Sequence, residues 1–142
     1  MFVGTWLQSK AAAHIPRSHV EGEIWTHWKV VLTRERYSDC APIVVRVDLF
    51  DSRKIRGKWV TKGECQITHE VDLGNLNHED VRSRLRTVDG DRPYLNNPRV
   101  VKELKAAIVA IETYGEQQFK QGQPVEIHRL NRLVLNACQK AA

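Results

Sequence analysis

Ile43-Val44-Val45-Arg46-Val47-Asp48-Leu49-Phe50 and Glu64-Cys65-Gln66-Ile67-Thr68-His69-Glu70-Val71-Asp72-Leu73 are two runs of alternating apolar and polar residues. Period-two alternation marks strands with one face in a core and the other towards water. Ile43, Val45, Val47 and Leu49 form one apolar face; Cys65, Ile67, His69, Val71 and Leu73 form another. Between the runs lies Arg53-Lys54-Ile55-Arg56-Gly57-Lys58-Trp59, a basic segment whose Gly57 can take the positive φ of a tight turn. The whole reads as a β-hairpin with a charged tip. A three-residue loop, Ile55-Arg56-Gly57, would pair Lys54 with Lys58. It would set Val47 opposite Cys65, Val45 opposite Ile67 and Asp48 opposite Glu64, so that both apolar faces coincide. A break at Lys62-Gly63 is the alternative, and it dissolves the acidic pair.

Upstream, Glu23 to Arg34 reads as a strand. Ile24, Trp28, Val30 and Leu32 lie on one face, and Trp25, His27, Lys29, Val31 and Thr33 on the other. The Ala-rich residues 4–14 predict a short helix stopped by Pro16. Downstream the period changes. Asn77 and Asp80 form a variant capping box before a helix carrying Val81, Leu85 and Val88. Asn97-Pro98 starts a second helix with Val101, Leu104, Ile108 and Ile111 buried, ending by Gly122 and fraying as early as Gly115. Pro124 opens a third, with Ile127, Leu130, Leu133, Val134 and Cys138 apolar. Strands followed by helices predict one α+β domain over residues 1–142. Residues 20–74 would build an antiparallel sheet, and three helices in residues 76–140 would pack on one of its faces.

Composition narrows the function classes. A hydrophobic content of 42% with 27% charged residues is that of an ordinary globular chain, and 142 residues suffice for one core. No apolar run reaches the length of a membrane span, and no signal-peptide pattern opens the chain. Three widely spaced cysteines (Cys40, Cys65, Cys138) without C-x-x-C favour reduced thiols and a cytoplasmic setting. The net charge of +5 is spread evenly: residues 1–74 hold 11 Lys/Arg against 9 Asp/Glu, and residues 75–142 hold 11 against 8. Such a balance permits nucleic-acid binding without demanding it.

Three constellations carry possible chemistry. The hairpin tip offers Arg53, Lys54, Arg56 and Lys58 beside Trp59, and the first helix after it offers Arg82, Arg84 and Arg86. Cations contact phosphates and an aromatic ring stacks on a base, so these residues predict a nucleic-acid surface. An edge hairpin kept soluble by Lys and Arg, with Trp59 in the core, is the structural counterpart. Second, Trp25 and Val31 on the first strand, Val44 and Phe50 on the second and Val60 on the third would form an apolar patch. Rimmed by His27, Lys29 and Arg46, it has the make-up of a protein interface, unless Trp6 and Leu7 fold over it. Third, Asp48 opposite Glu64-x-Gln66 resembles the PD-(D/E)xK nucleases, in which a hairpin holds Mg²⁺ between two carboxylates beside a lysine. Val47 and Gln66 depart from that pattern, standing where the family has Pro and Lys. Cys65 and His69 stand about 13 Å apart on a strand, too far for one zinc site, and His69 reads as a core histidine. No cofactor motif is present. The sequence therefore predicts a non-enzymatic binding protein acting on nucleic acid or on a protein partner, and a homo-oligomer, with a metal-dependent nuclease as the third reading.

Overall fold

The computed structural model describes residues 9–17, 19–35, 44–73 and 98–141. Among them are β1 (Ser9–Pro16), β2 (His27–Glu35), β3 (Val44–Ile55), β4 (Lys58–Asp72), and two helices, α1 (Pro98–Lys120) and α2 (Ile127–Ala141). The strands form an antiparallel meander in the order β1-β2-β3-β4. The class is α+β as the sequence predicts, with two helices described rather than three. The helix expected over 77–88, with Arg82, Arg84 and Arg86, lies outside the described residues.

Register assigns every side chain to a face. The rungs Arg34-Val45-Val71, Ala11-Leu32-Val47-His69 and Ala13-Val30-Leu49-Ile67 face the helices, and Ile15-Trp28 continues that face at one end. Leu104, Ala107, Ile108, Ile111 and Tyr114 of α1 meet these rungs together with Leu130, Val134 and Cys138 of α2. This is the amphipathic spacing that the sequence shows for both helices, with one exception. Val101, expected in the buried stripe, is exposed, and Glu103 takes a core position instead.

Glu103 is fully buried because Arg34 is buried opposite it, and the two side chains form an ion pair. Arg34 stands near the end of β2 on the helix-facing side. Its position was legible, but its depth was not, because an arginine is almost never fully buried unless paired.

Residues 9–16 are strand, not helix. Alanine's helical preference is worth only tenths of a kcal/mol per residue over most others. Against it stands an eight-residue ladder with β2 that puts Ala13 and Ile15 into the core. The same contact explains why α1 runs unbroken through Gly115. A Cβ at that position would lie 2.9 Å from Ile15 Cβ, so glycine lets the helix settle onto β1. The helix ends at Lys120, by Gly122 as expected, and that glycine takes φ 66° just beyond it.

The hairpin is real but its register differs from expectation. Its loop has two residues, Arg56 (φ 51°) and Gly57 (φ 80°), between the pair Ile55 and Lys58. Positive φ at both central positions is the type I′ turn, whose twist matches that of the flanking strands. Irregularities between Leu49 and Ser52 then move the pairing: Ser52 meets Thr61, Phe50 meets Cys65, Leu49 meets Ile67 and Val47 meets His69. Bulges of this kind bend a strand and raise its twist. β2 starts at His27, later than predicted, leaving Ile24 exposed outside it.

Candidate groove on the sheet face opposite α1 and α2

The rungs that point away from the helices are Lys10-Thr33-Arg46-Glu70, Ala12-Val31-Asp48-Thr68, His14-Lys29-Phe50-Cys65 and Pro16-His27-Ser52-Thr61. Beyond them the tip adds the pair Lys54-Trp59 on the same face. β4 is three strand spacings from β1, roughly 14 Å in a flat sheet. Yet the Trp59 ring lies 3.9 Å from the His14 ring, tilted by only 3°, and 4.9 Å from His27 in an edge-on contact. The hairpin tip therefore curls across this face to reach β1, and the face becomes concave.

The resulting groove measures about 630 Å³ and is lined by Lys10, Ala12, Lys29, Val31, Arg46, Phe50 and Lys62 among others. Ala12, Val31 and Phe50 supply an apolar floor, and the cations stand around it. Among the described residues, Lys10, Lys29 and Lys54 form no ion pair; Arg46 Nε donates to Asp48 at 3.0 Å, and Lys62 Nζ is 3.9 Å from Asp51. Burial lowers the pKa of His14, and Lys29, His27 and Lys54 push it down further. Burial also lowers that of His27, with Glu116 opposing and Lys54 reinforcing. Both shifts favour the neutral imidazole around Trp59, and the positive charge of this face is that of its lysines and arginine.

The residues singled out in the sequence are partly brought together. Val31, Phe50, Lys54 and Trp59 share the groove face, so two sites that the sequence kept apart, one basic and one apolar, are one surface. Val44 is on this face too but is buried at its end. Trp59 is not a core residue in phase with Ile67; the irregular pairing of β4 reverses its side. Arg53, Lys58 and Val60 point to the opposite side of the tip. Trp25 precedes β2 and lies 5.0 Å from the Arg53 guanidinium, away from Val31 and Phe50. Arg56 is in the turn itself, exposed. Lys10, His14 and Lys62 do not stand out in the sequence as groove residues, the first two because the alanines of 4–14 point to helix. The alternation of Lys10, Ala12 and His14 against Ala11, Ala13 and Ile15 was the available signal.

The acidic pair does not form. Asp48 faces Thr68 instead of Glu64, and its carboxylate accepts from the Thr68 hydroxyl (2.5 Å), from Arg46 and, at 3.8 Å, from the Cys65 thiol. Cys65 itself, expected on the apolar face, is exposed on the groove side. No cluster of three or more potential metal ligands occurs among the described residues. His69 does lie on the helix-facing side, half-buried. Burial lowers its pKa, against the opposing effects of Asn131 and Asp48. No described helix is long and apolar enough to cross a membrane.

No protein-family model matches the chain, and no curated protein or solved structure is significantly similar to it.

Proposed function

We propose that this protein is a non-enzymatic nucleic-acid-binding accessory protein, and that the concave sheet face is its binding surface. One observation carries the reading: register and curl collect Lys10, Lys29, Lys54 and Lys62 near Phe50 and the Trp59-His14 stack on the single sheet face opposite α1 and α2. Lysines neutralise phosphates and release counterions, and aromatic rings stack on bases, so the two residue types serve different halves of one ligand. The even charge balance of the chain is no obstacle, because folding concentrates cations that are dispersed in sequence.

A fluorescence-anisotropy titration with labelled oligonucleotides at about 50 mM and about 200 mM salt tests it. Affinity should fall steeply with salt, and replacing Lys29 and Lys54 by Gln together should weaken binding at least tenfold at the lower salt. No binding at about 50 mM salt removes the proposal.

A protein-interaction surface is the second reading, favoured by the apolar Val31 and Phe50 floor. Under it, Val31→Asp abolishes self-association or partner capture, and nucleic acid has no effect on either.

A further inference from the structure

Taking the nucleic-acid reading as given, we infer that the ligand is a single strand whose unpaired bases enter the groove, and not a duplex gripped by its backbone. The floor is the reason. Ala12, Val31 and Phe50 lie between cations: Lys10 and Arg46 on one rung, Lys29 beside Phe50 on another, and Lys62 at the lip. A duplex presents phosphates and sugars to such a surface and keeps its base faces stacked inside. It would satisfy the lysines and leave Phe50 and Val31 covered by polar backbone. An unpaired base offers a flat apolar face to the floor while its phosphate stays within reach of the rim.

Shape points the same way. The tip folds over the face until Trp59 reaches His14, which makes the face concave. A space of about 630 Å³ is of the size that encloses a small organic ligand, enough for roughly one or two nucleotides. A double helix keeps its base faces stacked and paired, and could place one in such a space only by unpairing it. Trp59 keeps 37 % of its surface exposed despite its imidazole neighbours, with the Lys54 ammonium 5.5 Å from the ring centre. Phe50, with Lys29 beside it, thus offers the stacking position inside the groove, and the Trp59 ring stays part-exposed beside it.

The test uses the full chain with labelled (dT) and (rU) strands of about twelve nucleotides and a blunt duplex of the same length, at about 50 mM salt. Single strands should bind at least tenfold more tightly than the duplex. Phe50→Leu, which keeps apolar volume but removes the ring, should weaken single-strand binding several-fold with the salt slope unchanged. Lys29→Gln should weaken it and reduce the slope of log K against log salt by about 0.7, the increment for one phosphate contact on a single strand. Circular-dichroism melts of both variants check that the fold is retained. Binding of only one sugar type supports the inference and names the nucleic acid.

A duplex that binds as well as the single strands, or single-strand binding indifferent to Phe50→Leu, overturns the inference while the proposed function stands. Failure of every oligonucleotide to bind overturns both.

Discussion

Arg34 and Glu103 are each 0 % exposed, between the sheet and α1. Removing one partner of such a pair strands the other charge in the core. Glu103→Ala should therefore cost about 3–5 kcal/mol in chemical denaturation, whereas a double change to Met at Arg34 and Leu at Glu103 should recover most of that loss. If the single and double variants prove equally unstable, the two side chains do not depend on each other. Such a pair is invisible in the sequence: residues 69 positions apart, one ending a strand and one on a helix, carry no mark of their pairing. Cys138 lies near Arg34; burial raises its thiol pKa and the guanidinium partly offsets this. The same limit applies to Trp59. Its aromatic character and cationic neighbours were plain, but the imidazole it stacks on comes from β1.

Among the elements, the hairpin was the most legible because alternation and a glycine turn are local signals. Its register was not, because the loop length and the irregular pairing near Phe50 are set by how β4 must twist to keep Ile67, His69 and Val71 on the helix side. Gly57→Ala tests the turn: at φ 80° a Cβ is strained even with open space around it, and stability should fall by about 1 kcal/mol. Gly115→Ala tests the docking of α1. In an exposed helix this change gains about 1 kcal/mol. Here the new methyl meets the rigid Cβ of Ile15, and a net loss of about 1–3 kcal/mol is expected in a urea titration. A stabilised variant would show that α1 and β1 are not in contact as described.

For the molecule as a whole, pH reports how the histidines are held. His14, His27 and His69 all have lowered pKa values, burial being the largest cause in each. The unfolded chain therefore binds protons more readily than the folded one once pH drops below about 6.5. Stability should be at its full value above that pH and decline on acidification through the lowered folded values. Denaturation midpoints should be lower at about pH 5.5 than at about pH 7.5, and His14→Gln should shrink the difference. A midpoint that rises on acidification contradicts the burial of these rings. The proposed groove binding should follow the same whole-molecule logic, since the groove's cations come from β1, β2, β3 and β4 and share one face only while the sheet stays curled.

Alternation, helix starts and turn glycines are short-range properties, and from them the α+β class, the hairpin, α1 from Pro98 and α2 could be read directly. The strand identity of residues 9–16, the burial of Arg34 with Glu103, and the fusion of basic and apolar residues into one groove depend on neighbours distant in the chain. Pairing energy and packing outweigh local propensity there, and only the assembled sheet, twisted by its bulges until the hairpin tip met β1, could bring those residues face to face.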